Sequence, residues 1–442
     1  MLLVKKSVIA LILIAVLIII VSPGLIGKLA EESVGDNLNW AAQDGGELIV
    51  TSEGFDRGWF SSEGQHRIEF GDGNMRSALT TVPGMGGNDE LPVLLINTHI
   101  DHGLIPVSSM GREEGSLAPG LGSAISTLAI EYGADQTVDV PGTVYSNIGL
   151  SGDLDSRYIL EAGALDVDDG EVTWESSTIN IGASAKTGNV SFDGDLGAMT
   201  FGNTLQTVSI DGVTFVGQQK NTPYGFMVGD VDMSMGEMTI NARGLQVGGM
   251  KGMNVKATSS VDDGLAKAAM RMEMSGQTIP GFGDISIIAD MDFNSIDAAA
   301  LGAVTKRLED MVGIQDPAQV MLAAEEDLKD LAASGLDIGV DQLDIALPMG
   351  TVEMKMTLTV PESDRSTFEW TSLLLSGVAE VDIIVPDALV QLATSMNPQV
   401  GAIVGMGYLK KEGDVYILDA DFKKGLLTVN GAPIPLPMGA FQ

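Results

Sequence analysis

The stretch TVEMKMTLTV, residues 351–360, alternates apolar and polar side chains without a break. Successive residues of a β-strand point to opposite faces of a sheet, so Val352, Met354 and Met356 share one face with the aliphatic residues that follow. The pattern predicts a strand in an antiparallel sheet that has one apolar and one polar face.

Working outward, further strand patterns run from Glu47 to about Ala257 and are interrupted by Gly, Asn and Asp. The clearest lie at residues 47–52, 65–70, 93–100, 143–150, 171–175 and 206–216. Asp-Gly pairs at 72–73, 169–170, 193–194 and 211–212 predict hairpin turns. The later part of the chain adds helices at 297–312, 317–334 and about 387–394, and a terminal hairpin at 415–422 and 426–429.

These patterns predict a fold of the α+β class that is mainly β. We expect an elongated domain built on a large curved antiparallel sheet, with a few helices in the C-terminal half. The expected organisation is a cytoplasmic tip and transmembrane anchor at 1–28, a strand-rich domain at 29–294, and a mixed helix and strand region at 295–442 packed on the same sheet.

The N-terminus carries the strongest localisation signal. After Lys5 and Lys6, residues 7–27 contain no charged side chain, and about 20 apolar residues cross a bilayer as a helix. The two lysines stay cytoplasmic by the positive-inside rule, which predicts a single-pass membrane protein with the bulk of the chain translocated. The alternative is a cleaved signal peptide, for which Ser22-Pro23-Gly24 is a poor cleavage site.

Composition narrows the function classes. The 442 residues include 60 acidic and 24 basic side chains and no Cys, for a net charge of −36. Such a surface repels phosphate backbones, so nucleic acid is excluded as a partner. Disulfides, thiolate nucleophiles and Cys-ligated metals are excluded as well.

Methionine is abundant, with 23 residues. Several lie two residues apart, as strand neighbours on one face: Met233/Met235, Met270/Met272/Met274 and Met354/Met356. One interpretation is core packing, because Met fills irregular gaps. The other is an adaptable apolar groove that binds acyl chains or an amphipathic partner.

No catalytic constellation is evident. The serine hydrolase and P-loop signatures are absent, and we expect neither enzymatic activity nor a cofactor. His99, Asp101 and His102 are weak candidates for a metal site, since His99 and Asp101 share a strand face but His102 points the other way. A cryptic metal-assisted hydrolase remains an alternative on these three residues.

Residues 55–62, FDRGWFSS, resemble a signature of the YdgA-type bacterial envelope family (domain of unknown function 945). Supporting similarities follow in order at 98–106, at 294–298 and in the closing hairpin at 413–431, so the resemblance covers nearly the whole chain. At 104 this sequence has Leu where the family tends to have Pro. The resemblance implies a Gram-negative inner-membrane protein with a periplasmic domain and brings no catalytic assignment.

Within that signature, Arg57, Trp59 and Phe60 are candidate binding residues. They either hold the first strands together or form a patch for a partner near the anchor. Together the sequence predicts an inner-membrane-anchored periplasmic protein that binds a lipid or an envelope protein partner. Self-association through exposed sheet edges, giving a structural homo-oligomer, is a further alternative.

Overall fold

The structure is a computed structural model in which strands dominate. It describes residues 48–57, 61–71, 91, 93–102, 120–132, 136–149, 151–167, 170–184, 186–203, 205–279, 283–309, 311 and 317–434. The expected anchor at 7–27 lies outside these residues. Within them, no helix is both long and apolar enough to cross a membrane.

The chain divides into two compact units. Unit 1 comprises residues 1–221 and 308–320, and unit 2 comprises residues 222–307 and 321–442. The expected division between 294 and 295 stays a prediction.

Unit 1 contains thirteen strands among its described residues. They are β1 (Leu48–Arg57), β2 (Ser61–Phe70), β3 (Val93–His102), β4 (Gly120–Tyr132), β5 (Gln136–Gly149), β6 (Leu154–Leu160), β7 (Gly163–Val167), β8 (Gly170–Trp174), β9 (Ser177–Ala183), β10 (Val190–Leu196), β11 (Met199–Gly202), β12 (Gln206–Ile210) and β13 (Val213–Asn221).

Two antiparallel ladders organise these strands. The larger runs in the order β1, β2, β3, β4, β5, β6, β9, β10, β13, and the smaller in the order β7, β8, β11, β12. In β6 and β9 every second residue is buried, and Ile179 is only 1% exposed. One face of the larger ladder therefore forms the core of this unit, and the other is polar.

Unit 2 contains the remaining strands and most of the helical residues, while helical residues 308–309 and 317–320 belong to unit 1. The strands are β14 (Met227–Met235), β15 (Met238–Ala242), β16 (Leu245–Met250), β17 (Gly252–Asp262), β18 (Leu265–Ile279), β19 (Gly283–Asp297), β20 (Leu336–Leu347), β21 (Gly350–Val360), β22 (Val378–Pro386), β23 (Lys410–Glu412), β24 (Val415–Lys423), β25 (Leu426–Val429) and β26 (Ala432–Ile434). The helices are α1 (Ala298–Glu309), α2 (Pro317–Ala323), α3 (Glu325–Ala333), α4 (Trp370–Ser376), α5 (Asp387–Met396) and α6 (Pro398–Gly405).

The sheet of unit 2 is an antiparallel meander. Its order is β14, β17, β18, β19, β20, β21, β22, β24, β25, β26. Tight turns set the register; Asp263-Gly264, for example, joins β17 to β18 with φ of 53° and 79°, as a two-residue hairpin requires. The long neighbouring strands give this unit one wide sheet with two distinct faces.

The helices begin near the positions that the sequence predicts. The Asp297 carboxylate accepts a hydrogen bond from the Ala300 backbone N–H at 2.8 Å and caps α1. The predicted helix at 317–334 is two helices, α2 and α3, with Ala324 between them. Helices α4 and α6 were not predicted.

The expectation of a mainly β protein with a large antiparallel sheet and few helices is confirmed. Some turn predictions are wrong, however. Asp193 and Gly194 lie inside β10 and form no hairpin, because their strand is paired on both sides by β9 and β13. The predicted strand at 206–216 is two strands, β12 and β13, separated by Asp211 and Gly212.

Candidate functional site

The two methionine pairs singled out from the sequence lie on one face of the unit 2 sheet. Three cross-strand rows make up this surface, which we name the methionine face. The first row is Met233, Val255, Met272, Ala289, Leu343 and Met354; the second is Met235, Met253, Met274, Ile287, Ile345 and Val352; the third is Val231, Ala257, Met270, Met291, Val340 and Met356.

A bulge in β20 keeps the rows continuous. Simple alternation would place Val340 and Gln342 on the same face, with Leu343 on the other. The pairing instead goes from Met291↔Val340 to Asp290↔Gln342. Over this stretch β20 has one residue more than β19, which is a β-bulge. Leu343 therefore joins Val340 on the apolar side, and the polar Gln342 faces the charged side.

The methionine face is half-exposed. None of its nine methionines is buried, and Ala289 is the one residue of the three rows that is, at 4% exposure. Apolar side chains sealed beneath a second layer are usually fully buried. A contiguous half-exposed apolar surface of this kind is typical of binding sites.

The opposite face of the same strands is charged. Asp232, Lys256, Arg271 and Asp290 follow one another across four strands. Lys256 pairs with Asp232 at 2.9 Å and Arg271 with Asp290 at 3.0 Å. The contact with Asp232 raises the pKa of Lys256, and hydrogen bonds to Glu273 and to Asp290 raise the pKa of Arg271. The sheet is thus amphipathic, with two basic groups between two carboxylates on its polar side.

The sequence indicated part of this surface and missed part of it. Met253 and Met291 are isolated methionines whose local pattern does not connect them to the pairs. Their membership follows from the registers of β17 and β19 with β18, which hydrogen bonds between these neighbouring strands set. The alternation of each strand is the signal that could have found them.

The candidate residues near the N-terminus are less fully described. Arg57 ends β1, where its backbone pairs with Ser62. Its side chain, and both Trp59 and Phe60, lie outside what the structure describes. Their assignment to a partner patch stays a prediction.

The histidine cluster lies on the polar face of unit 1. His99 Nε2 is 3.2 Å from Asp101 Oδ1, and His99 Nδ1 is 3.4 Å from Glu63 Oε1. Asp101 is 1% exposed. His102 follows on β3 with Gly122 as its ladder partner, and its side chain is outside the described set. Within the described residues, no group of three or more His, Asp or Glu side chains has a geometry that could hold a metal ion.

Comparison with known proteins identifies one family. The model of a family described as "Bacterial protein of unknown function (DUF945)" matches residues 4–437, which confirms the resemblance noted in the sequence. No curated protein and no solved structure matches the chain.

Proposed function

The chain belongs to the DUF945 family of bacterial proteins of unknown function, and we propose from its geometry that it binds the acyl chains of a lipid on the methionine face. The proposal is for binding without catalysis. It rests on one observation, which is the different burial of two similar sheets.

In unit 1 the apolar face of the sheet is sealed. Leu154, Tyr158, Ile181 and Val190 are each no more than 8% exposed. In unit 2 the apolar face formed by the three rows stays partly exposed, and Ala289 is its one buried residue. Because leaving so much apolar surface in water is unfavourable, its retention supports a role in binding.

The chemistry of the face suits a flexible apolar ligand. Methionine side chains are unbranched and polarisable, so they adapt to ligands of different shape. The first row crosses six strands, or about 24 Å at the usual strand spacing. The acyl chains of one leaflet span about 15 Å, half the hydrocarbon thickness of a bilayer, so a chain can lie along a row.

The negative charge of the protein restricts which lipid headgroups it can accept. With a net charge of −36, the protein repels anionic groups in its surroundings. The apolar chain must therefore supply the affinity. We expect binding to depend on acyl chain length more than on the headgroup.

The proposal includes a location beside a membrane. Residues 7–27 form an uncharged apolar segment of spanning length, preceded by Lys5 and Lys6. A protein anchored there would have its sheets on the far side of the inner membrane, next to a lipid source. Reporter enzymes fused after Gln442 test this topology. A reporter that works only outside the cytoplasm should be active. Activity of a reporter that works only in the cytoplasm would contradict the proposed topology.

The binding test uses the full chain, extracted with a mild detergent and analysed by native mass spectrometry for lipid. Binding of a fluorescent, uncharged long-chain monoacylglycerol then measures affinity. The double variant Met233→Gln/Met354→Gln should weaken probe binding, since Gln matches Met in length but places an amide in the first row. Thr357→Gln, on the polar side of β21, is the matched control and should not.

Three results would overturn the proposal. The first is a protein that carries no lipid and does not bind the monoacylglycerol probe. The second is equal probe affinity in the row variant and the Thr357→Gln control. The third is hydrolysis of a lipid ester, measured as release of fatty acid at a rate proportional to the protein concentration. That result would favour a hydrolase. Co-purification of a stoichiometric envelope protein or a dimer that buries the methionine face would replace the lipid with that partner.

A further inference from the structure

Unit 1 carries a second candidate site, on the polar side of its larger ladder. A cavity of about 350 Å³ opens there over β5, β6, β9 and β10. Two cross-strand rows line it, and we name them together the polar cavity. The first row is Asn147, Asp155, Gly182 and Ser191, and the second is Tyr145, Arg157, Asn180 and Asp193.

Gly182 creates the floor of this cavity. A Cβ atom at this position would lie 2.8 Å from Ser191 Oγ and 3.4 Å from Asp155 Oδ1. The first of these distances is too short for a real contact, so a larger residue would push the serine hydroxyl aside. The bare backbone of the glycine leaves room between the two polar side chains.

One hydrogen bond organises the second row. Asn180 Nδ2 donates to Asp193 Oδ2 at 2.8 Å, which fixes the orientation of the amide. That bond uses one oxygen of the carboxylate and one hydrogen of the amide. Asp193 Oδ1 and Asn180 Oδ1 are further acceptors at the same place.

The mixture of groups favours hydroxyl-rich ligands. Carboxylates and amide oxygens accept from hydroxyl hydrogens, while amide and guanidinium N–H groups donate to hydroxyl oxygens. Tyr145 adds an aromatic surface at the end of the second row, of the kind on which the apolar face of a sugar ring packs. A saccharide presents both features, since every ring has an apolar face and a rim of hydroxyls.

Charge decides between neutral and anionic ligands. The rows contain two carboxylates, Asp155 and Asp193, against one guanidinium, Arg157. Within a chain of net charge −36, this balance repels phosphates and uronic acids. A neutral sugar meets no such barrier.

We propose that the polar cavity binds a short neutral oligosaccharide. The two rows cross four strands, about 14 Å at the usual spacing, so more than one sugar ring fits along them. The volume lies at the lower end of the range of small-molecule sites, about 300–1,000 Å³. This inference is independent of lipid binding on the methionine face.

The experiment titrates the full chain with maltotriose, cellotriose and N-acetylated chitotriose, by calorimetry and by saturation-transfer NMR. At least one should bind. Asp193→Asn should weaken that binding about tenfold or more, the effect of one charge-assisted hydrogen bond. Asp195→Asn is the matched control, since it lies two residues further along β10, on the same face but outside the cavity lining, and it should bind as the unaltered protein does.

Gly182→Val should abolish binding by filling the floor. Asn180→Ala should also weaken binding, and this substitution does not crowd Ser191. Circular dichroism checks that each variant is folded. Failure of all three neutral trisaccharides would overturn the proposal. So would equal affinity in folded Gly182→Val, or tighter binding of glucose 6-phosphate than of any neutral sugar.

Discussion

Met233 and Met354 lie in one cross-strand row of unit 2, although β14 and β21 are five pairing steps apart in the sheet. Their alignment depends on every register between them. The most demanding of these is at β20, where the bulge next to Asp341 returns Leu343 to the apolar side. The methionine face is therefore a property of the whole sheet.

The bulge can be tested by deleting Asp341. Removing this extra residue leaves Val340 and Leu343 two positions apart, so both stay on the apolar face and Asp344 stays on the charged face. We expect the free energy of unfolding to fall by no more than about 1 kcal/mol, the centre of the range for single changes. Urea denaturation measures it.

Asp341→Ala is the control for this deletion. It keeps the residue count, and Asp341 is exposed. We expect a change within about 0.5 kcal/mol. A deletion variant that lost more than about 4 kcal/mol, the exceptional range for single changes, would show that Asp341 is not the extra residue of the bulge.

Gly142 and Tyr158 form a second specific contact, in unit 1. Gly142 has a φ of +117°, and a Cβ there would lie 2.7 Å from Tyr158 Cε2 and 2.8 Å from the Ile159 carbonyl oxygen. Gly142→Ala should therefore cost about 3 kcal/mol, combining backbone strain with overpacking. Chemical denaturation checks the value.

Gly413→Ala separates these two effects. Gly413 also has a positive φ, +62°, but a Cβ there would have no neighbour within 4 Å. Only backbone strain of about 1 kcal/mol should remain. Equal losses at the two glycines would argue against close packing of the tyrosine ring on Gly142.

Because of the buried Tyr158 side chain, we expect the protein to lose stability at alkaline pH. Burial raises the pKa of Tyr158 to about 12, and its hydroxyl donates to the Pro141 carbonyl oxygen at 2.8 Å. In the unfolded chain the phenol ionises with its ordinary pKa of 10.0. The contribution to stability is thus complete below pH 10 and is lost as the pH rises to about 12, amounting to about 2–3 kcal/mol.

The measurement is the unfolding free energy from pH 8 to pH 12, in the protein and in Tyr158→Phe. Phenylalanine cannot ionise, so the variant should lose less stability over this range. It should be less stable at neutral pH by about 1 kcal/mol, the value of the lost hydrogen bond. Identical alkaline slopes for the two proteins would refute the assignment.

Asp292 illustrates the cost of the acidic surface. Burial raises its pKa, and the neighbouring Asp341, Asp290 and Asp337 raise it further. A raised carboxyl pKa means that the ionised group opposes folding at neutral pH, and that stability recovers as the pH falls through the folded pKa. Asp292→Asn should therefore stabilise the protein at neutral pH by roughly 0.5 kcal/mol at low salt.

Salt dependence provides the check on this prediction. Salt screens repulsion between carboxylates, so the advantage of Asp292→Asn should shrink as sodium chloride is added. Asp230→Asn, at an exposed position on β14, should give a smaller gain. A salt-independent gain at Asp292 would point to burial alone as its cause.

Several elements could be predicted from the sequence because their signals are local. The alternation at 351–360 predicted β21 to within one residue, and the closing hairpin was placed with similar accuracy. The break at Ala324 and the helices α4 and α6 were not found, since their short segments carry little periodicity. The hairpin turn predicted at Asp193-Gly194 was wrong, because pairing with strands on both sides outweighed the local turn signal.

The sequence by itself determined the mainly antiparallel class, the family, the charge and the apolar character of individual strand faces, because each depends on composition or on neighbouring residues. Only the tertiary structure decided which faces join. Strand register aligned nine methionines from five strands into one surface, and it assembled Asp155, Asn180 and Asp193 around a glycine floor. Register depends on hydrogen bonds between distant segments and on bulges that alternation cannot reveal, and for that reason both candidate sites became visible in the folded chain.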